Sequence, residues 1–265
     1  MAERSDPDGL GGVPRRAAGE AFPGEAPGTN RSTNMRERSQ LQCLIVSTTT
    51  STPALDIHGL CFRYENGQGG FSLRLDSLRL ERGEQMLLRA GSGKGKSTLL
   101  NLIAGLMEPA EGRVLVAGQA IHALRGAARD RFRGRTIGMI FQTFNLLQGF
   151  SALENVEAAL LFAGEGGEEQ RRRATELLRR LGIERLESPV ERLSVGQQQR
   201  VAVARAVACT PALVLADEPT ASLDPGNAAR AMELIQATCR ERGAALLCVS
   251  HDPAMWNRFS RVQDL

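Results

Sequence analysis

The stretch Gln85-Met-Leu-Leu-Arg89, Ala90-Gly-Ser-Gly-Lys-Gly-Lys-Ser97, Thr98-Leu-Leu-Asn-Leu-Ile-Ala-Gly105 decides the reading of this chain. Its first five residues make an apolar run of strand length, and its last eight carry a helical apolar pattern. Strand, glycine loop and helix together form the setting in which backbone N–H groups gather around phosphate. From Ala90 to Ser97 the loop runs as one small residue, four free positions, then Gly-Lys-Ser. In that geometry Lys96 reaches the outer phosphates and the Ser97 hydroxyl offers a ligand to Mg²⁺. A plain glycine-rich turn is the alternative, and the flanking strand and helix argue against it. Ala90 stands where glycine is commoner, and Lys94 where a small residue is commoner; both are compatible with the loop.

Lys94 and Lys96 are the only lysines among 33 basic residues. A GC-rich coding sequence that favours arginine explains the bias. A lysine kept against it marks a place where a compact ammonium fits and a planar guanidinium does not.

Working outward, Leu55 to Tyr64 reads as a strand, and Phe71 to Asp76 alternates with period two. Asn66-Gly67 supplies the turn between them. Residues from about 150 to 208 read as helices. Glu168 to Leu181 is amphipathic and stops at Gly182, and Val195 to Cys209 stops before Pro211. Ala212-Leu-Val-Leu-Ala216 is a buried strand ending in Asp217-Glu218. Asp224 caps a helix with Pro225 in its first turn. That helix ends near Gly243, and Ala244 to Val249 is the next buried strand. Strands alternating with helices predict an α/β fold on a parallel sheet.

An Asp at the carboxyl end of such a strand can hold Mg²⁺ through water, which assigns Asp217. The adjacent Glu218 is placed to take a proton from an attacking water. Leu193-Ser-Val-Gly-Gln-Gln-Gln-Arg200 contains a capping box, Ser194 with Gln197. With Gly196, the same exposed helix start is also an anion site.

Composition removes several other classes. The 265 residues suffice for one large α/β domain. Aromatics at 4% argue against stacking on nucleic acid, and a net charge of +3 is too small to imply a nucleic-acid partner. No apolar run reaches the roughly 18–20 residues of a membrane span, so a membrane role is expected to be peripheral. No apolar core follows Arg15-Arg16, so a signal peptide is not expected. Cys43, Cys61, Cys209, Cys239 and Cys248 lack zinc spacing and are odd in number, which predicts reduced, mostly buried thiols. His58, His122 and His251 lie far apart, so no metal cluster is expected. Residues 1–53, rich in proline and glycine with charges in balance, are expected to be disordered. A docking tail is the alternative there, and Met35 is a candidate start.

With these segments in place, residues 54–265 resemble the ATP-binding cassette (ABC) ATPases. Leu193 to Gln197 is similar to the family signature, with Val195 in place of its first glycine. Phe141-Gln142 resembles the Q-loop, Ser222-Leu223-Asp224 the D-loop, and His251 the switch histidine. Tyr64, the only tyrosine, stands where the family places an aromatic that stacks on adenine. The resemblance implies a RecA-like parallel-sheet core, an antiparallel β-subdomain and a helical subdomain at about 143–195. It implies ATP and Mg²⁺, bound by Tyr64, by the loop residues Ala90, Gly91, Ser92, Gly93, Lys94, Gly95, Lys96, Ser97 and Thr98, and, from a second copy, by Ser194, Gly196, Gln197 and Asp224. Ser97, Gln142 and Asp217 are implied for the metal; Glu218, His251 and Gln142 for hydrolysis. Two copies would pair head to tail, each ATP lying between the loop of one and the signature of the other. Because β-branched Val195 resists positive φ, the signature loop is expected to differ locally from the common form.

Gln142-Thr-Phe-Asn-Leu-Leu147 with Ser151-Ala-Leu-Glu-Asn-Val156 resembles the lipoprotein-releasing and macrolide-efflux (LolD/MacB-like) cassettes. That implies a homodimer on the cytoplasmic face of the inner (plasma) membrane. It would power export, lipoprotein release or envelope remodelling through an integral membrane subunit, with no nucleic-acid partner. An amino-acid-type importer and an FtsE-like regulatory cassette are the alternatives. Phe144, Leu146, Leu147 and Phe150 suit docking of a partner's cytoplasmic helix, or are core. Arg171-Arg-Arg173 and Arg179-Arg180 read as solvated faces, and Trp256 as packing.

Overall fold

In this computed structural model, residues 52–64, 71–91 and 93–265 are described. The segment through residue 51 (with Met35 and Cys43), the Asn66-Gly67 turn and Ser92 lie outside them. Strands Leu55–Arg63 (β1) and Ser72–Leu80 (β2) pair antiparallel, as their alternating apolar residues predict. Glu111–Val116 (β4) and the short Gln119–Ala120 (β5) complete an antiparallel sheet in the order β2-β1-β4-β5.

The second sheet contains Gln85–Arg89 (β3), Ile137–Ile140 (β6), Leu213–Asp217 (β7), Ala245–Ser250 (β8) and Arg261–Asp264 (β9). All four of its pairings are parallel, in the order β6-β7-β8-β3-β9. The strand alternation of side chains divides the apolar core between the two faces of this sheet. Leu87, Val214, Ala216, Leu246 and Cys248 point into one cluster, and Met86, Leu88, Leu213, Leu215, Leu247 and Val249 into the other. Continuous apolar runs in β7 and β8 are what a sheet covered on both faces requires.

Helix Lys96–Ile103 (α1) follows the glycine loop and buries Leu99, Leu100, Leu102 and Ile103 against the β1–β4 side. Helix Gly126–Thr136 (α2) buries no residue completely. Sequence periodicity does not announce it, because four arginines replace the apolar stripe. Arg129 on α2 instead donates to the carbonyls of Leu124 and Gly105. His122 lies 3.0 Å from the Leu102 carbonyl at the end of α1, and burial pulls its pKa below the usual histidine value.

Helices Ala152–Phe162 (α3), Glu168–Arg180 (α4) and Val195–Val207 (α5) fill the stretch read as helical. Ser151 and Glu154 form a full capping box at the start of α3. Arg171, Arg172, Arg179 and Arg180 are exposed as expected. Arg173 is not: it is half-buried, pairs with Glu165 and donates to the Ala208 carbonyl. Helix Pro225–Arg242 (α6) starts at the Asp224 cap and stops at Gly243 in the left-handed conformation. A last short helix, Pro253–Trp256 (α7), brings Trp256 against the core, where the Arg89 guanidinium stacks 4.8 Å from the ring centre. Cys239 and Cys248 are buried free thiols, and Cys61 and Cys209 are half-buried free thiols. Desolvation pushes Cys239 up to about 12 and Cys209 up to about 11.

Strand β6 and helix α5 touch backbone to backbone. A Cβ on Gly138 would lie 2.1 Å from the Ala206 carbonyl oxygen, so nothing larger fits without moving the helix. Gly138→Ala is therefore expected to lose about 1–3 kcal/mol of stability, read from urea denaturation. An unchanged midpoint would contradict this contact.

Candidate active site

The carboxyl ends of β3, β8 and β7 lie level, because Arg89 pairs with Ser250 and Asp217 with Val249. The residues that follow these three strands therefore meet. After β3 the loop turns through Gly93 at φ 74° and Gly95 at φ 86°. Gly95 is the N-cap of α1, and a Cβ there would lie 2.3 Å from the tip of the Phe71 ring. The first turn of α1 has no side-chain cap and no acidic residue, so its N–H groups stay open to an anion.

Lys96 turns back across the loop. Its ammonium donates to the carbonyls of Ala90 at 3.0 Å and Gly91 at 3.3 Å, and lies 2.8 Å from Glu218 Oε1. The side chains of both ions are about nine-tenths buried. His251 Nδ1 is 2.6 Å from the same Oε1. Glu218 itself takes φ 48°, unusual for a non-glycine residue, and its N–H donates to Val249 O at 2.9 Å. Ser97 Oγ donates to Asp217 Oδ2 at 2.7 Å. Gln142, Glu218, Ser250 and His251 line one cavity of about 510 Å³. Lys94 is exposed and makes no hydrogen bond with another residue's side chain among the described residues.

The signature segment lies elsewhere. Ser194 caps α5: its Oγ accepts from the Gln197 N–H at 3.3 Å, and Gln197 Oε1 accepts from the Ser194 N–H at 3.0 Å. Val195 does not meet the positive φ that a β-branched residue resists. Val195 is the first residue of α5, neither it nor Gly196 has positive φ, and its side chain stands 53% exposed. A β-branched residue is no obstacle at a helical position. Asp224 accepts from the Asn227 N–H at 3.1 Å, and that bond holds its carboxyl below the usual range. Ser194, Gly196, Ser222 and Asp224 line a separate cavity of about 880 Å³. Lys96, Ser97, Asp217 and Glu218 do not line it.

Tyr64 follows β1, 43% exposed, its ring edge-on to Phe62 at 4.8 Å and 6.1 Å from Phe71. Thr98 is half-buried in the first turn of α1. The apolar cluster beside Gln142 divides: Phe144 and Leu146 are core, whereas Leu147 and Phe150 are exposed. The approach of Phe71 to Gly95 and the Lys96–Glu218 pair were not read from sequence, and no local pattern marks either contact.

A phosphate loop at the end of an interior parallel strand, whose serine meets an aspartate from a second strand beside a carboxylate–imidazole pair, defines a P-loop nucleotide hydrolase. Residues 73–221 match the ABC transporter family. The chain is 41% identical over 214 residues to the lipoprotein-releasing system ATP-binding protein LolD of Chromohalobacter salexigens, covering 80% of this chain and 90% of that protein. Its fold is similar to the dimeric cassette MJ0796 bound to ADP and Pi, with TM-score 0.71 and 35% identity, covering 80% of this chain and 94% of that one. It is also similar to cbiO1 of Clostridium perfringens, part of the transporter complex cbiONQ, with TM-score 0.65, 31% identity and 76% and 79% of the two chains covered. The chain belongs to the ABC transporter family and is one of its ATP-hydrolysing subunits.

Lys96→Ala is expected to abolish nucleotide binding and, by leaving the Glu218 carboxylate buried without its cation, to lower the melting temperature. Lys94→Ala should change both only slightly. Equal losses in the two variants, by nucleotide titration and thermal melting, would contradict the assignment of Lys96.

Proposed function

We propose that two copies of this chain bind two ATP molecules between them and use hydrolysis to drive lipoprotein release through an integral membrane partner. The observation that carries the two-copy reading is that, within one chain, Ser194 and Gly196 line a different cavity from Glu218, and Lys96 does not reach theirs. A site needing both halves is completed by a second copy. The dimeric state of the related MJ0796 cassette supports this. The cargo class is carried over from the lipoprotein-releasing relative, which matches over more of its length than cbiO1 does. Among the described residues no helix is long and apolar enough to cross a membrane. The likeness to the ATP-binding protein LolD supports a peripheral place on the cytoplasmic face. Leu147 and Phe150, exposed beside the Gln142 turn, offer the partner an apolar contact.

In this reading the open N–H groups at the start of α1 and the Lys96 ammonium hold the phosphates, and Tyr64 stacks on the base. Ser97 Oγ and Asp217 Oδ2, two hard oxygens 2.7 Å apart, suit Mg²⁺, with Gln142 as a further oxygen donor. When bound, Mg²⁺ offsets charge on the phosphate oxygens. Lys96 moves from Glu218 to the phosphates, which frees the carboxylate. Glu218 then takes a proton from the attacking water as that water's oxygen bonds to the γ-phosphorus. The bond between the γ-phosphorus and the bridging oxygen breaks, leaving ADP and inorganic phosphate. His251, already on the Glu218 carboxylate, orients the water and the γ-phosphate. Ser194 and Gly196 of the second copy close on the same phosphate from the opposite side.

Glu218→Gln keeps the side-chain shape and removes the base, so hydrolysis is expected to fall by about 10²–10⁴-fold while ATP binding survives and closed dimer accumulates. Ser194→Arg should block the ATP-driven dimer and turnover yet spare binding by the single chain. Turnover in the complex with the membrane partner, with size-exclusion chromatography in ATP, reads both. Undiminished hydrolysis by Glu218→Gln would overturn the base. Undiminished hydrolysis by Ser194→Arg would overturn the shared site.

A further inference from the structure

Two residues after Gln142 the backbone enters a tight turn in which Phe144 has φ 59° and Asn145 φ 47°. Asparagine tolerates this region, but a bulky side chain such as that of Phe144 resists it. Contacts within the turn are short-range: Phe144 N–H donates to Phe141 O at 3.1 Å, and Thr143 Oγ1 bonds Asn145 Oδ1 at 2.8 Å. The Phe144 side chain is sunk in the core. The turn is also held from outside, by Arg205 in the last turn of α5. Arg205 Nη2 donates to Phe144 O at 2.7 Å, and its Nη1 donates to Asn145 O.

Arg205 is half-buried, and among the described residues no carboxylate pairs with it. Desolvation is the one cause acting on its pKa, and it acts downward. A partly desolvated cation without a counter-ion needs acceptors, and the two turn carbonyls are what its fork satisfies here. The opposite end of α5 carries Ser194 and Gly196. On the cavity side, the Gln142 carbonyl accepts from Ser222 Oγ at 3.4 Å.

We propose that Arg205 is a positioning residue: its guanidinium holds the Phe144–Asn145 turn, aims Gln142 into the cavity of Glu218 and His251, and ties that aim to helix α5. The inference rests on the proposed role of Gln142 in hydrolysis. It makes the segment that faces the phosphate and the helix that carries the signature a single mechanical unit. A lysine cannot replace the fork, because one ammonium on a flexible stem does not bridge two adjacent carbonyls in fixed geometry.

The test is a double-mutant cycle on the full-length chain, with ATP dissociation constant and kcat measured separately. Arg205→Met and Arg205→Lys are each expected to lower kcat about tenfold or more while changing ATP affinity less than about threefold. Gln142→Ala should lower kcat in the natural chain but add little once Arg205 is replaced. If Arg205→Met does not fold by circular dichroism, Arg205→Lys carries the same cycle. Full multiplication of the two losses, or an Arg205→Lys chain with natural kcat, overturns the inference and leaves the role of Gln142 standing. A Gln142→Ala chain with natural kcat overturns the role of Gln142, and the inference with it.

Discussion

One carboxylate oxygen organises the centre of this molecule. Glu218 Oε1 faces the Lys96 ammonium at 2.8 Å and His251 Nδ1 at 2.6 Å, and those groups follow three different strands. They can meet only because β3, β8 and β7 are parallel and in register to their ends. A slip of one residue would turn every side chain of a strand to the other face. The apolar residues of both sheet faces would then be misplaced, so the two cores that stabilise the sheet also fix the site. This is a buried ion pair whose Coulomb gain is set against desolvation. Its value lies in where it places Lys96: folded over its own loop, next to the carboxylate it is proposed to release when phosphate arrives.

The same division of labour extends to the proposed second half of the site. Helix α5 begins with a complete capping box, so its first N–H groups are held in a fixed direction at an exposed surface. Its C-terminal end packs on β6 so closely that Gly138 has no room for a methyl group. Its last turn supplies Arg205 to the Gln142 turn. A rigid helix with one end on the signature and the other on the Gln142 segment has a physical means of relating one copy's closure to the next site's geometry.

Much of this was legible in the sequence, for identifiable reasons. The buried strands β7 and β8 are unbroken apolar runs, the caps at Ser194 and Asp224 have their partners three residues on, and the glycine loop sits between a strand and a helix. Helix α2 escaped because it buries nothing completely, so no apolar period exists to find. Strand β9, Arg-Val-Gln-Asp, escaped because a polar edge strand is defined by its partner rather than its pattern. The concern about Val195 rested on a positive φ, and the chain there is already helical. The Lys96–Glu218 pair, the Phe71–Gly95 contact and the Arg205 fork join residues far apart in sequence, and only the folded register brings them together. The motifs were therefore readable as a set, while the contacts that hold them at working distances were not.

The central claim is that each nucleotide site takes its phosphate loop from one copy and its signature from another. Complementation by mixing tests it most directly. Lys96→Ala chains and Ser194→Arg chains are purified separately, each inactive, then combined and assembled with the membrane partner, and ATP turnover is measured. In a mixed pair one site inherits both lesions and the other inherits neither, so the account predicts that activity returns on mixing. A mixture no more active than either variant alone would contradict it.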